Sequence, residues 1–409
     1  MIKKKTKWVK SRHTVVRNLL YWPLKIYSEI VYGIKIEKFN GDANRPHLIL
    51  FNHQTTFDQF FISISFPKHV YFVASEDLFS NGIVSKLITW LVAPIPFKKS
   101  TSDIKGVKNC LRVSREGGSI GMAPEGNRTY SGITEYMKPA VASLAKALKM
   151  PIALYRIEGG YGVQPRWSDK VRKGKMRVYC SKIIEPETFA EMSNEELFDI
   201  INKELYVDER LDKSEFYSKN NAEFLDRVFY YCPYCNLSEF FSYKDIILCK
   251  KCNKAVRYLP NKTLKGVDFD FPFDNIKDWY DAQTDYLINL KLDDFKDKPI
   301  FKDNICFINN VYCSKKIILD KNAALFAYSD RIVIDTLDKS YTFMFSELSA
   351  ATVLGRNKMN IYLDKQIFQF RGDKHFNALK YLQLYYKTVS EEKGSLAEKF
   401  WGFDVKKGQ

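Results

Sequence analysis

A chain of 409 residues is longer than one ordinary hydrophobic core can organise, so its length predicts two or three domains. A hydrophobic content of 45% excludes an intrinsically disordered protein. The formal net charge of +16 favours nucleic acid, anionic lipid or phosphorylated molecules as partners, although a basic protein without such a partner would carry the same charge.

The sequence predicts a cytoplasmic protein. It contains no run of about 18 uncharged apolar residues, so we expect no membrane-spanning helix. The basic N-terminus continues into polar and charged residues, which differ from the apolar core of a secretory signal. In the cytoplasm the eight cysteines are expected to be thiols or metal ligands and not disulfides.

Residues 1–35 are predicted to form a basic amphipathic helix that docks on a membrane. Residues 1–25 contain eight Lys or Arg and no Asp or Glu. Apolar residues recur at helical spacing, and Pro23 is expected to kink the helix. The predicted apolar side carries Val15, Val16, Leu19, Leu20, Ile26, Tyr27, Ile30 and Val31. This composition suits a membrane interface, whereas the alternative is a helix whose apolar side faces the core.

Residues 36–210 are predicted to form an α/β domain with a largely parallel sheet. Apolar strand-like runs alternate with helical segments over this range, which is the pattern of that fold class. Strands are predicted at 47–51, 70–75, 119–122, 151–157 and 175–180. One helix is predicted to begin at Ser102 as its N-cap and to end near Gly117 and Gly118, and another is predicted at 137–150.

The first candidate site is the run 52–58, which follows a predicted strand. His53 and Asp58 would lie about 140° apart on one continuous helix and could not meet. They can meet if His53 is in a loop and Asp58 is in the first turn of the next helix. Asp58 would then fix the tautomer of His53, and the other ring nitrogen could accept a proton. This is the base and orienting acid of a catalytic triad, with a substrate hydroxyl as nucleophile; for this pair alone, a structural histidine is the alternative.

The second candidate site is the run 123–128, which also follows a predicted strand. Gly126 permits a close approach of the backbone to a ligand, and Arg128 offers a planar set of donors for a phosphate. The carboxyl ends of parallel strands are where α/β sheets bind ligands. The alternative is a turn with a surface salt bridge.

Together the two runs resemble a known family. His53-x-x-x-x-Asp58 followed by Pro-Glu125-Gly126-x-Arg128 is similar to the paired motifs of the glycerolipid acyltransferases, which include 1-acylglycerol-3-phosphate acyltransferases. Weaker blocks at 94–99 and 149–154 lie where that family has them, and the resemblance covers about residues 35–210.

The resemblance implies a reaction and a set of roles. His53 would be the general base and Asp58 its orienting acid. The acceptor's glycerol phosphate would be held by Glu125, Gly126, Arg128, Lys98 and Lys99. The donor would be an acyl thioester on coenzyme A or acyl carrier protein, and no catalytic metal is expected. The expected acceptor is a lysophospholipid, foremost 1-acylglycerol 3-phosphate, although other lysophospholipids and glycerol 3-phosphate fit the same motifs.

The sequence departs from the family's pattern at two places. Asn127 stands where the family usually has Thr, which bears on substrate preference. Lys98 and Lys99 stand where Arg is usual, with Lys99 favoured as the equivalent. A lysine contacts phosphate as a point charge, so its contact is less directional than that of an arginine.

Residues 228–258 are predicted to form a zinc ribbon. Cys232 and Cys235 form one Cys-x-x-Cys pair, and Cys249 and Cys252 form another. Four thiolates at this spacing suit tetrahedral Zn²⁺, and a site closed by four cysteines is structural and not catalytic. A redox pair or an iron site is the alternative.

Residues 270–400 are predicted to form a small, mainly β domain that is closed by a C-terminal helix. From about residue 300 to 371 short strands alternate with turns, and they are predicted at 324–328, 331–335, 341–345, 361–363 and 367–370. A final helix is predicted at about 374–388, and this order of elements resembles pleckstrin-homology or GRAM modules. The alternative is a β domain that only packs against the catalytic one.

These interpretations lead to two hypotheses from different functional classes. The first is a lysophospholipid acyltransferase of phospholipid synthesis that binds the inner face of the cell membrane through anionic lipid, with nucleic acid not expected as a partner. The second is a basic zinc-ribbon module that binds nucleic acid or protein and uses the acyltransferase fold as a scaffold.

Overall fold

A computed structural model describes residues 7–98, 103–311, 313–364 and 366–392. The chain divides into two compact units. The first comprises Met1–Thr129, Ile133–Gln164 and Lys173–Ser214, and the second comprises Tyr130–Gly132, Pro165–Arg172 and Glu215–Gln409. Within the described ranges, no helix combines the length and apolar character needed to cross a bilayer.

The first unit is built on a seven-stranded sheet. Its strands are β1 (Ile34–Ile36), β2 (Leu48–Phe51), β3 (Val70–Ser75), β4 (Ile95–Phe97), β5 (Ser119–Met122), β6 (Ile152–Glu158) and β7 (Met176–Ile184). The spatial order is β1-β7-β6-β2-β5-β3-β4. Only the β6–β7 pair is antiparallel among these described strands, so the sheet is mixed and mostly parallel.

Helices connect these strands and cover the sheet. They are α1 (Ser11–Tyr32), α2 (Asp58–Ser65), α3 (Ile83–Val92), α4 (Ile104–Arg115), α5 (Ala140–Leu148), α6 (Gly160–Val163), α7 (Pro186–Ala190) and α8 (Asn194–Leu205). Ser193 and Glu196 form a capping box that begins α8. Buried Ile120 and Leu154 of the central strands pack with Ala145 of α5 and Ile201 of α8 in one apolar core.

The second unit begins with short hairpins around the four paired cysteines. Its first strands and helix are β8 (Tyr231–Cys232), β9 (Asn236–Leu237), β10 (Phe240–Tyr243), β11 (Ile246–Cys249), β12 (Ala255–Tyr258), β13 (Leu264–Gly266) and α9 (Ile276–Asn289). Strands β10 to β13 pair consecutively in an antiparallel sheet. Trp279 of α9 stacks on Phe229 with ring centroids 3.7 Å apart, which anchors the helix beside the first hairpin.

A second seven-stranded sheet completes this unit. It contains β14 (Phe301–Asn310), β15 (Lys316–Ala327), β16 (Arg331–Asp335), β17 (Ser340–Met344), β18 (Ala350–Leu354), β19 (Lys358–Leu363) and β20 (Gln366–Arg371), followed by helix α10 (Ala378–Glu392). All of its described strand pairs are antiparallel, in the order β17-β16-β15-β14-β20-β19-β18. The chain therefore has a mainly β C-terminal domain with a terminal helix.

Candidate functional site

His53 and Asp58 lie together at the carboxyl edge of the first sheet. His53 follows β2, and Asp58 is the first residue of α2. Nδ1 of His53 lies 2.8 Å from Oδ2 of Asp58; the carboxylate is fully buried, and the imidazole is 25% exposed. An Nδ1–H donated to the carboxylate fixes the tautomer in which Nε2 carries the lone pair. The pair can therefore accept a proton from a hydroxyl that approaches Nε2.

Asp58 also organises the loop that carries His53. Its Oδ2 accepts the backbone N–H of Gln54 at 2.7 Å, and its Oδ1 accepts the backbone N–H and the hydroxyl of Thr55 at 3.0 and 2.6 Å. These donors replace the water that a buried carboxylate has lost. The same carboxylate thus orients the imidazole and fixes the backbone on which the imidazole is mounted.

Glu125 connects the two sequence runs. Its Oε1 accepts the backbone N–H of His53 at 2.6 Å, and its Oε2 accepts the backbone N–H of Glu135 at 2.6 Å. This contact follows from strand register, because Leu50 of β2 lies opposite Met122 of β5 and the loops beyond them leave the sheet side by side. The predicted contact of Glu125 with the acceptor stays a prediction, and in the structure both carboxylate oxygens accept backbone N–H groups.

Gly126 and Arg128 lie in the loop after β5. Gly126 has a φ of +68°, a backbone conformation that residues other than glycine adopt only at a cost. Its N–H donates to the carbonyl of Ala123. Arg128 is 6% exposed. Burial raises the pKa of Tyr32, while a hydrogen bond with Thr56 and the charge of Arg128 act in the opposite direction. Arg128 is therefore a buried cation whose charge acts on Tyr32, the last residue of α1.

Lys98 lies at the same edge of the sheet but farther along it. It is half-buried and follows β4, which pairs in parallel with β3. Its backbone N–H donates to Asp103, the residue that caps α4. Lys99 lies outside the described residues.

Several residues that hold the His53 loop were not assigned a role from the sequence. The side chain of Asn52 makes two hydrogen bonds to the backbone of Ile157, at 2.8 and 2.7 Å, and so ties the end of β2 to β6. The backbone N–H and the hydroxyl of Thr56 donate to Gln164 Oε1 at 3.2 and 2.8 Å. The short polar residues between the predicted strand and helix could have indicated a hydrogen-bonded loop. Their partners, Ile157 and Gln164, lie about a hundred residues farther along the chain and could not be identified from the sequence.

The four paired cysteines converge in the second unit. Their sulfur atoms all lie within 4.8 Å of one another, and the Cys232–Cys252 and Cys235–Cys249 separations are 3.7 and 3.5 Å. Sulfurs bound to one tetrahedral Zn²⁺ at about 2.3 Å would lie about 3.8 Å apart. The cysteines are not in disulfides. The donor set and its spacing are therefore compatible with a structural zinc ion.

Comparison with known proteins bears on the first unit. Residues 33–157 match the family described as Acyltransferase, and this range contains His53, Asp58, Glu125 and Arg128. The 1-acyl-sn-glycerol-3-phosphate acyltransferase of Bacillus subtilis (strain 168) is 21% identical over 175 residues, which cover 42% of this chain and 84% of that protein.

Two further proteins are similar over part of the chain. A chloroplastic 1-acyl-sn-glycerol-3-phosphate acyltransferase of Arabidopsis thaliana is 23% identical over 37% of this chain and 44% of its own length. The crystal structure of a 1-acyl-sn-glycerophosphate acyltransferase from Thermotoga maritima aligns with a TM-score of 0.39 and 19% identity, over 49% of this chain and 81% of that one. The chain is therefore similar to the acyltransferase family over residues 33–157, which is less than half of its length.

Proposed function

We propose that the protein transfers a fatty acyl group from an acyl thioester to the free hydroxyl of a lysophospholipid, with 1-acylglycerol 3-phosphate as the foremost acceptor and phosphatidate as the product. The observation that carries this proposal is the 2.8 Å contact between His53 and a fully buried Asp58. The match of the surrounding residues to the acyltransferase family and the names of the two sequence relatives support the choice of reaction and acceptor.

The proposed reaction begins with the acceptor hydroxyl at Nε2 of His53. The imidazole takes the hydroxyl proton as the oxygen attacks the thioester carbonyl, and Asp58 stabilises the imidazolium that forms. When the carbon–sulfur bond breaks, the imidazolium returns the proton to the departing thiolate, so the histidine ends as it began. General-base assistance of this kind is worth about 10²–10⁴ in rate.

In this proposal the acceptor's phosphate is bound by Arg128, with Lys98 and Lys99 as additional cations. Gly126 lets the backbone of the loop approach the phosphate. Glu125 contributes by holding the backbone of His53 through its 2.6 Å hydrogen bond, which sets the position of the imidazole relative to the bound acceptor.

We further propose that Cys232, Cys235, Cys249 and Cys252 hold a structural zinc ion, and that the C-terminal sheet and α10 form a pleckstrin-homology-like or GRAM-like module. Supporting the zinc is the agreement of the sulfur separations with a tetrahedral site. Supporting the module is a seven-stranded antiparallel sheet that is followed by one helix.

We also propose that the protein docks on the anionic cytoplasmic leaflet through α1. The apolar side of this helix is exposed and not packed on the core, as shown by Leu19 at 71% and Ile30 at 78% exposed. Basic side chains on the same helix complement anionic headgroups. Such docking would bring the active site to a lipid acceptor.

The test of the proposed reaction is His53→Ala in the full chain. We expect acyl transfer to fall by about 10²–10⁴ while the circular dichroism spectrum and melting temperature remain close to those of the parent protein. The assay uses labelled acyl-coenzyme A with a panel of acceptors: 1-acylglycerol 3-phosphate, other lysophospholipids and glycerol 3-phosphate. Ordinary turnover by the variant would refute the mechanism, and preference for another acceptor would correct the substrate.

A further inference from the structure

Helix α1 exposes a continuous apolar stripe. At 100° per residue, five exposed side chains fall within about 80° of the helix circumference. They are Val15, Leu19, Trp22, Ile26 and Ile30, which are between 53% and 78% exposed. Its buried residues lie on the opposite side: His13, Ser28 and Tyr32. The helix therefore has the polarity of an amphipathic helix whose apolar side faces away from the protein.

Helix α3 also directs apolar side chains away from the protein and a polar side chain towards it. All ten of its residues are described, and the buried one is the polar Ser85. Ser85 Oγ donates to the carbonyl of Leu78 at 2.6 Å and accepts the N–H of Asn81 at 2.8 Å, so hydrogen bonds hold this side against the turn that precedes the helix. The exposed side carries Ile83, Val84, Leu87 and Trp90, which are between 54% and 83% exposed. Seven of the ten residues of α3 are apolar, and a surface helix with this many exposed apolar side chains marks a contact site.

The two helices form one surface, which we call the α1–α3 face. The guanidinium of Arg12 lies over the ring of Trp90, 5.0 Å from its centroid, and Arg12 projects from the same side of α1 as the stripe. Just beyond α3, the carbonyl of Ala93 accepts the indole N–H of Trp8 at 3.0 Å. These contacts join the exposed end of α3 to the N-terminal end of the stripe.

The charges of the α1–α3 face select an anionic bilayer as its occupant. Residues 1–28 and α3 contain no Asp or Glu, and Glu29 of α1 is paired with Lys25. The ammonium of Lys25 lies 5.3 Å from the centroid of the Trp22 ring, which belongs to the exposed stripe. Exposed Trp and aliphatic side chains among Lys and Arg are the composition of a helix in a headgroup region.

The α1–α3 face is connected to the catalytic loop. Tyr32, the last residue of α1, stacks on Phe57 with ring centroids 5.4 Å apart, and Tyr27 packs on the same ring at 5.3 Å. Phe57 immediately precedes Asp58. The end of α1 therefore packs against Phe57, the neighbour of the aspartate whose carboxylate orients His53.

From these contacts we infer that α3 is a second membrane-docking helix, and that the α1–α3 face enters the headgroup region of an anionic leaflet as a unit and presents the His53 loop to lipid. The docking itself is independent of the reaction, while the delivery of a lysolipid to His53 rests on the proposed function. Docking by α1 alone would leave the apolar side of α3 in water.

The test uses the full chain with Ile83→Gln and Leu87→Gln combined. The matched control combines Leu211→Gln and Leu337→Gln, which replace apolar side chains that are 78% and 97% exposed elsewhere. Binding is measured by co-sedimentation with vesicles of phosphatidylcholine and phosphatidylglycerol. We expect the α3 variant to lose affinity by about tenfold or more and the control to bind as the parent does.

Activity and association state complete the test. The α3 variant should lose more activity towards vesicle-presented lysolipid than towards a short-chain, water-soluble acceptor. Unchanged vesicle affinity of the variant overturns the inference, as does a parent dimer that the α3 substitutions dissociate, since a second copy would then cover the face. If the parent protein transfers no acyl group to any acceptor, the proposed function fails, and the sedimentation result still decides the docking.

Discussion

Arg128 is an almost fully buried cation in the loop after β5, and a buried guanidinium is costly unless it is matched by anions or hydrogen-bond acceptors. Its planar donors can bind two oxygens of one phosphate, a geometry that lysine cannot reproduce. Its surroundings differ from those of Lys98, which is only half-buried. The two cations are therefore expected to contribute unequally to acceptor binding.

We predict that Arg128→Ala raises the Michaelis constant for the acceptor by about 10-fold to 100-fold, and that Arg128→Lys recovers part of this loss. Steady-state kinetics with each substrate varied in turn measure the effect. Lys98→Ala is the matched control and should change acceptor use less. A raised Michaelis constant for the acyl donor with unchanged acceptor kinetics would show that Arg128 binds the other substrate.

At this scale the sequence predicted local contacts better than distant ones. His53 and Asp58 are separated by five positions, so their meeting depends only on where the loop ends and α2 begins. The contact of Glu125 with the backbone of His53 depends on the pairing of β2 with β5, which chain order does not reveal. The motif drew attention to Glu125, but the hydrogen-bond partners of its carboxylate could not be foreseen.

At the scale of the elements, α1 and α3 meet at a cluster of three rings, those of His13, His69 and Tyr71. His69 Nε2 contacts the carbonyl of Val92, the last residue of α3, at 3.0 Å, and His13 of α1 contacts the hydroxyl of Tyr71 at 3.0 Å. Burial lowers the pKa of His69 to about 4 and lowers that of His13. Burial therefore favours the neutral form of both imidazoles where they contact the two helices and Tyr71.

We predict that acidification destabilises the first unit through His69. A histidine whose folded pKa is depressed contributes stability that is complete above its unfolded pKa of about 6.5 and is lost as the pH falls towards about 4. The loss across this window is up to about 3 kcal/mol. Urea unfolding at about pH 7.5 and about pH 5 measures it, with the ionic strength matched. His69→Gln should show a smaller difference between the two pH values, and an equal difference would contradict the prediction.

Strand patterns were recognised where alternation or apolar runs were clean. The predicted strand at 119–122 coincides with β5, and the segment 331–335 coincides with β16. Strand β14 was not predicted, because Lys302, Asp303 and Asn304 interrupt its apolar pattern. Ordered pairing with β15 and β20 overrides that weak local preference.

At the scale of the whole molecule, the proposed catalytic and zinc sites occupy different units. The described residues of the His53 site belong to the first unit, and the four paired cysteines belong to the second. The prediction of an α/β domain at 36–210 and a zinc ribbon at 228–258 indicated this separation from the sequence. The assignment of Tyr130–Gly132 and Pro165–Arg172 to the second unit could not be predicted, since these short segments leave the first unit and return to it.

We predict one zinc ion per chain, and that its removal unfolds part of the second unit. A structural zinc site contributes its binding free energy to folding, so Cys249→Ser or a strong chelator should lower the melting temperature of the second unit. Elemental analysis and scanning calorimetry measure both effects. Cys313→Ser is the control because it lies outside the cluster and should retain the metal. A chain that binds no zinc, or melts unchanged without it, would contradict the site.

The exposed apolar sides of α1 and α3 also bear on how the protein would meet its acceptor. Held against a leaflet, the protein and a lysolipid diffuse in the same plane, so their encounters depend on the mole fraction of lysolipid among its neighbours and not on its amount per volume of solution. Dilution of the membrane with inert lipid would then slow the reaction even when the total lysolipid is constant. Because the two helices would hold the His53 loop at the membrane, the reaction rate would be set by the composition of the membrane around that loop.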